Sequence, residues 1–429
     1  MRKLWWAALA ASAVLLSACH NGGHSQNSTD MRAVNAVIGS DPLDVLVAGD
    51  VKFTGLTYGS TSAFANFSSG GQEVTVRSTP THAIFFDKSL NFGDGATSTL
   101  VIYGSTSSIS ALQLSDDITS PDTPPASGNF KIRVAGASTD SGPVDLYVTP
   151  GTDLSNVPAT LGGVTLGSVS AYAETTAGSY VLSLTIAGTK DLLFQSAPMP
   201  LAAGAAYSLA VLPSGGGKLS NALLLQQGQG GTGTLLSNPN GRVKAVNAIP
   251  DSTPLNFLAD GTPLLSNVPF AGASDYVPLA SGSHTLQLEA SNVPGSVVTT
   301  LPLPVSPARD YTMVAVNSIA QAQLVTFTDD NTAPPVGFAK LRFANALVGS
   351  AGTDVLVNFA TQATSLAYKS ASSYYTLAPS TTYTITFTSP GGVSVLATLT
   401  PAELDAGGVY TAYLFGTAPS PQVRLVRDR

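Results

Sequence analysis

Cysteine occurs once in the 429 residues, at position 19, so no disulfide can form within the chain. Every folded unit must therefore stand on its own apolar core. Tryptophan is confined to Trp5 and Trp6, and histidine to His20, His24, His82 and His284. That is too little for a Cys/His zinc site, and no histidine shares a pattern with a serine and an acid as a catalytic triad would need. Charged residues make up 10% of the chain, against roughly 25% in ordinary soluble domains. Setting aside Arg2 and Lys3, 17 basic residues face 26 acidic ones, a net charge of −9. That balance argues against nucleic acid, whose affinity rests on Lys and Arg at phosphates. It also offers no basic patch to anionic lipid headgroups. No apolar run beyond residue 16 is long enough to span a bilayer, and no stretch beyond it carries a helical stripe.

The chain opens Met1-Arg2-Lys3, followed by an apolar run over residues 4–16 and then Leu16-Ser17-Ala18-Cys19. A basic start, a short apolar run and small residues before a cut mark a secretory signal. The last four residues resemble the bacterial lipobox. That resemblance implies cleavage before Cys19 and acylation of Cys19, the alternative being an ordinary secretory signal with an incidental cysteine. One acyl chain binds membranes marginally and two or three bind stably, so the membrane becomes the expected partner through Cys19. By resemblance to sorting rules in diderm bacteria, His20 directs the protein to the outer membrane of such a host. Residues 20–30 are polar and read as a flexible tether, at most about 36–40 Å long when fully extended.

Four segments then begin alike: Met31-Arg32-Ala33-Val34-Asn35-Ala36, Ile132-Arg133-Val134-Ala135-Gly136-Ala137, Val243-Lys244-Ala245-Val246-Asn247-Ala248 and Leu341-Arg342-Phe343-Ala344-Asn345-Ala346. Their basic residues are 101, 111 and 98 positions apart, a domain-sized period. The expected organisation is a signal at 1–19, a tether at 20–30, and repeats at 31–118, 130–226, 241–329 and 338–429. Prolines 121, 124 and 125, and prolines 334 and 335, stiffen the first and third links, whereas Gly228, Gly230, Gly231 and Gly233 loosen the second. That contrast predicts a first and a last pair of repeats with a more mobile hinge between them.

Inside each repeat the apolar period is two. Tyr383-Thr384-Ile385-Thr386-Phe387-Thr388 alternates bulky apolar residues with threonine, which puts one strand face on a core and one in water. The counterparts are Glu73-Val74-Thr75-Val76-Arg77, Tyr180-Val181-Leu182-Ser183-Leu184 and Thr285-Leu286-Gln287-Leu288-Glu289. Each follows a turn cluster such as Ser68-Ser69-Gly70-Gly71, with an aromatic before it: Phe64, Tyr172, Tyr276 or Tyr374. Strand, tight turn and strand predict a hairpin. About seven short strands per repeat predict an all-β chain of four tandem Ig-like antiparallel β-sandwiches.

The basic residue before Val-Asn-Ala, the Val-Asp-Leu-Tyr-Val type of strand at 144–148, and the aromatic ahead of the turn together resemble bacterial domain-of-unknown-function family 4397. The resemblance spans nearly all of residues 31–428. It implies tandem β domains on an exported protein and brings no activity with it. Gly136 departs from the Asn of the other repeats, and Asn256 from the Asp44, Asp145 and Asp354 of the others.

Chemistry-bearing constellations are few. Asp116-Asp117 and Asp329-Asp330 end the first and third repeats, and hard oxygen ligands at a junction suit calcium, which takes six to eight of them. Solvated loop charge is the other reading. The run 228–233 lacks the Lys-Ser/Thr of a phosphate loop. Asp44, Asp145, Asn256 and Asp354 sit where a side-chain oxygen can hold a turn, and the recurring Arg or Lys is the expected partner within each repeat. Exposed tyrosines would suit a sugar module, but half or more of the 14 tyrosines fit core positions and no tryptophan lies beyond the leader, so that reading has little support. The reading that follows is a non-enzymatic, cofactor-free, lipid-anchored envelope protein, acting as a spacer or a multivalent contact module for an unidentified protein or glycan. The alternative is a dedicated ligand- or calcium-binding lipoprotein.

Overall fold

A computed structural model describes residues 27–116, 124–228, 230–231 and 233–429. Cys19 and Asp117 lie outside the described residues. Among those described there is no α-helix, and no helix long and apolar enough to cross a membrane.

The first repeat shows the plan. Its strands are β1 (Ser28–Asn35), β2 (Leu43–Val47), β3 (Asp50–Leu56), β4 (Ala65–Ser68), β5 (Gly70–Ser78), β6 (Ile84–Phe92), β7 (Thr97–Ser105) and β8 (Ser108–Ser115). They form two four-stranded sheets, in the orders β4-β1-β7-β8 and β3-β2-β5-β6. β1 begins three residues ahead of Met31, because Ser28, Thr29 and Asp30 already pair with β4. The sandwich is antiparallel apart from one contact, for β1 runs parallel to β7 with Arg32 opposite Thr99. The third repeat repeats all eight strands, from Asn240–Asn247 to Gln323–Asp329. The second and fourth follow the same order with their edge strands broken into shorter pieces.

One expectation is corrected. β4 and β5 are separated by Ser69 alone, yet they do not form a hairpin. β4 pairs with β1 in one sheet, while β5 pairs with β2 and β6 in the other. The chain crosses from layer to layer at this corner, where Gly70 has φ +93° and the equivalent Gly282 has φ +136°. Only glycine adopts such angles without a Cβ penalty, so the conformation that resembled a hairpin turn on sequence instead serves a change of sheet.

Alternation places each core. Met31 and Ala33 of β1, Val74 and Val76 of β5, and Leu100 and Ile102 of β7 are fully buried between the sheets of the first repeat. Each other repeat encloses its own counterpart.

The residues between these on β1 and β7 are also buried. Val34, Ala36 and Val101 pack against Ala135, Ala137, Ala210 and Leu212 of the second repeat. Val246, Ala248, Val314 and Val316 of the third repeat pack against Ala344, Ala346, Tyr413 and Phe415 of the fourth. The β1/β7 sheet is thus covered on both sides, and the four repeats form two face-to-face pairs. Small residues on the β1 strands let the sheets approach, and aromatics fill what remains. Phe270 of the third repeat meets Phe415 edge-on at 6.4 Å.

The expected hinge is not a bare tether. Gly233–Leu236 pairs with Ser220–Gln226 and extends a sheet of the second repeat. Buried Asn238 then donates to the carbonyls of Leu193 and Ser220, at 2.7 and 2.9 Å. Thr234, Leu235 and Leu236 carry ordinary strand chemistry, which the surrounding glycines masked in the sequence.

Candidate functional site

The recurring polar residues converge on the paired faces. Arg32 alternates with the core residues Met31 and Ala33, so it points away from its own core and into the neighbouring repeat. Each recurring cation has an aromatic lid, the residue noted ahead of the layer crossing. Arg32 lies 4.9 Å from the Phe64 ring, Arg133 4.6 Å from Tyr172, Lys244 5.1 Å from Tyr276 and Arg342 4.9 Å from Tyr374. The parallel strand supplies a hydroxyl. Arg32, Arg133 and Arg342 donate through Nε to Thr99, Ser208 and Thr411 at 2.7, 2.7 and 2.8 Å. That hydroxyl in turn meets a polar residue at the end of the closing strand of its own repeat: Thr99 with Asp116, Ser208 with Gln227, Thr312 with Asp329 and Thr411 with Asp428.

These units cross between repeats. Arg342 of the fourth repeat pairs with Asp329 of the third, and Lys244 of the third pairs with Asp428 of the fourth. The contacts are reciprocal, as in a twofold dimer. In the first pair, Arg133 donates to the Ser115 carbonyl at 2.5 Å, and Arg32 to the Gln226 carbonyl at 2.8 Å. Arg32 also lies 3.2 Å from Asp116 of its own repeat. Gln227 stands where the other repeats end in an acid, so the first pair carries one buried carboxylate at these positions and the second pair two.

Electrostatics separates the pairs. In the first pair, burial lowers the Arg32 guanidinium and raises the Asp116 carboxyl despite their mutual attraction. Dehydration outweighs pairing on both sides of that contact. Burial likewise works to lower Arg342, but Asp329 and the surrounding tyrosines outweigh it and hold the guanidinium above its ordinary value.

The residues singled out in the sequence fall as follows. Asp116 and Asp329 are buried and face cations of the chain itself. Asp330 points elsewhere, to Lys340 at 2.9 Å, because successive residues of an extended segment project to opposite sides. The structure therefore does not bring Asp329 and Asp330 together on one point. Among the described residues, no group of three or more His, Asp or Glu side chains is placed to hold a metal ion. The recurring Asp near the start of β2 holds backbone: Asp145 accepts from the Gly163 and Gly188 amides, and Asp354 from those of Ser365 and Gly391. Asn256 accepts from the Asn267 amide. These acids do not meet the recurring cations, which correct the expected pairing within a repeat by reaching across to the next one. Gly136 has its own reason, since a Cβ there would collide with the Thr165 carbonyl. His82 is exposed, and His284 bonds Asp260 and the Ala280 carbonyl.

A second feature was invisible in sequence. Repeats 2, 3 and 4 meet around a cavity of about 620 Å³. The second repeat contributes Lys190, Gln195 and Lys218, the third Arg242 and Tyr276, and the fourth Arg429. The glycine hairpin 214–217 docks the second repeat on the third: Arg309 donates to the Gly215 carbonyl at 2.9 Å, and Gly217 abuts the Asp310 carboxylate. That carboxylate grips Arg242 at 2.9 and 2.6 Å. Arg429 donates to the carbonyls of Asn331 and Asp140, tying the fourth repeat to the second.

Four tyrosines at these junctions give a measurable signature. Burial pushes Tyr58 and Tyr413 up to about 12 and raises Tyr276 and Tyr374 further. Groups raised above the unfolded value of about 10 contribute stability that is complete below pH ~10 and is lost as pH climbs through the folded values. An alkaline titration followed by tyrosinate absorbance and circular dichroism should leave the β signal intact through pH ~10. The buried set should ionise only as that signal collapses. A single step near pH 10 with the fold retained would contradict the burial.

No curated protein matches this chain. A family model described as a domain of unknown function, DUF4397, matches four times, over residues 29–147, 130–230, 241–349 and 339–429. With the β-sandwich plan repeated behind each match, the chain belongs to the DUF4397 family and carries four copies of its domain in tandem.

Proposed function

We propose that this protein is a non-enzymatic, lipid-anchored spacer of the bacterial cell envelope, which holds its outer surfaces at a fixed geometry for contact with protein or glycan. One observation carries the reading. The polar residues that the repeats share are consumed in fixing repeat to repeat: cation, aromatic lid, hydroxyl and terminal acid all lie on paired faces. A shared catalytic or binding constellation would instead leave such groups open to solvent or to a cleft. Two twinned bodies, docked to each other, suit a stiff spacer better than four independent beads would. The calcium-binding alternative has less support, because Asp116 and Asp329 already face Arg32 and Arg342.

The anchor belongs to the same proposal and rests on Leu16-Ser17-Ala18-Cys19. Cys19→Ser should abolish acyl labelling and move the protein from the membrane to the soluble fraction. Membrane retention of unacylated protein would refute the anchor. A pull-down from envelope extract would then identify the contact partner.

A further inference from the structure

We propose that the cleft where repeats 2, 3 and 4 meet is a binding site for an acidic sugar, with Lys218 holding its carboxylate. The inference goes beyond the spacer reading and stands if that reading fails. A cavity of about 620 Å³ has the size of a small-ligand site. Its wall carries Lys190, Lys218, Arg242, Arg427 and Arg429 against Asp191, Asp275 and Asp428; with Arg242 held by Asp310 and Arg427 by Asp405, Lys190, Lys218 and Arg429 remain against Asp191 and Asp275, an excess of one positive charge. Asp428 is buried against Lys244, which removes it as a counterion for the cleft. This excess sits in a chain whose formal net charge is −7.

Lys218 is distinctive among these cations. Arg242 is gripped by Asp310, Arg427 lies 3.0 Å from Asp405, and Lys190 donates to the Tyr147 hydroxyl at 3.1 Å. Lys218 is half-buried, and among the described residues it forms no ion pair with a carboxylate. Burial, and after it the charges of Arg242 and Arg429, lowers its affinity for a proton against the smaller opposing pull of Asp191 and Asp310. A half-buried cation crowded by two guanidiniums gains most from an anion brought from outside. The rest of the wall favours a hydroxylated body over a bare ion. Asn240 brings an amide and Gln195 its carbonyl oxygen, and the exposed acids Asp191 and Asp275 can accept from hydroxyls.

Titration calorimetry of the whole processed chain with glucuronate, glucose and inorganic phosphate tests the proposal. Glucuronate should bind at least tenfold more tightly than glucose, which shares its hydroxyls and lacks the charge. Lys218→Gln should weaken glucuronate at least tenfold, Lys218→Arg should retain it, and neither should change the melting temperature of the ligand-free protein. If Lys218→Gln does not fold, Lys190→Gln, exposed on the rim, should still weaken glucuronate. Absence of glucuronate binding, or equal binding by wild type and Lys218→Gln, would overturn the site. Phosphate binding as tight as that of glucuronate would overturn its assignment to acidic sugars.

Discussion

Arg342→Ala in the full chain is expected to lower the stability of the second pair by about 3–5 kcal/mol, the range for removing one partner of a buried ion pair. The substitution leaves Asp329 buried with Thr312 and Tyr276 as donors and without the guanidinium it faced. It also uncovers the faces of Tyr374 and Phe327, over which the guanidinium sits. The loss should appear in denaturant or thermal unfolding of residues 240–429. An isolated fourth repeat, residues 338–429, is the wrong object for this test, since it lacks Asp329 altogether. Arg342→Met combined with Asp329→Leu should recover much of the loss, because two apolar side chains leave no stranded charge. Arg32→Ala should cost less, about 1–3 kcal/mol. Asp116 already has a raised proton affinity from burial and keeps the field of Arg133. A loss below ~1 kcal/mol for Arg342→Ala would place the pair in solvent instead.

Gly216→Ala with Gly217→Ala should separate the two pairs while leaving each folded. A Cβ at 216 would collide with the Ala308 carbonyl, and one at 217 with the Asp310 carboxylate. Backbone and a bidentate ion pair cannot yield as a flexible side-chain tip can, so the hairpin must lift away. Overpacking of this kind costs about 1–3 kcal/mol, here charged to the docking of second repeat on third. Small-angle scattering should show a larger radius of gyration, and proteolysis at 228–233 should accelerate. Each pair should keep its own melting transition. Unchanged scattering would mean that the hairpin does not hold the pairs together.

The cores were legible from alternation alone. Ile385 and Phe387 are buried where the Tyr383-Thr388 pattern placed them, and the recurring Asp354 holds backbone amides as its Asn256 replacement suggested. The paired faces were harder to read. Thr, Ala and Val at alternate positions of β1 and β7 pass equally for a solvated face, and an arginine among them strengthens that impression. A signal was present in Tyr410-Thr411-Ala412-Tyr413-Leu414-Phe415, a nearly continuous apolar run of the kind found in strands buried on both sides. Asp116 and Asp329 read in sequence as acids at the ends of their repeats, with nothing local to say what they face. Their hydroxyl and cation partners lie on strands distant in sequence, so no local spacing connects Asp329 to Arg342, or Asp428 to Lys244. The cleft needs three repeats at once and has no linear signature.

Cysteine protection on the paired faces measures most directly whether the repeats are twinned bodies or independent beads. With Cys19→Ser as background, Val101→Cys and Val314→Cys place single thiols on buried outer faces of the first and third repeats, and Val393→Cys, 85% exposed, is the surface control. Pairing predicts that maleimide labels the Val393→Cys protein at the rate of a free thiol, while the other two react only through opening, slower by orders of magnitude, until denaturant unfolds the pairs. Labelling of Val101→Cys and Val314→Cys as fast as the control, in a folded chain, would contradict the pairing on which this account rests.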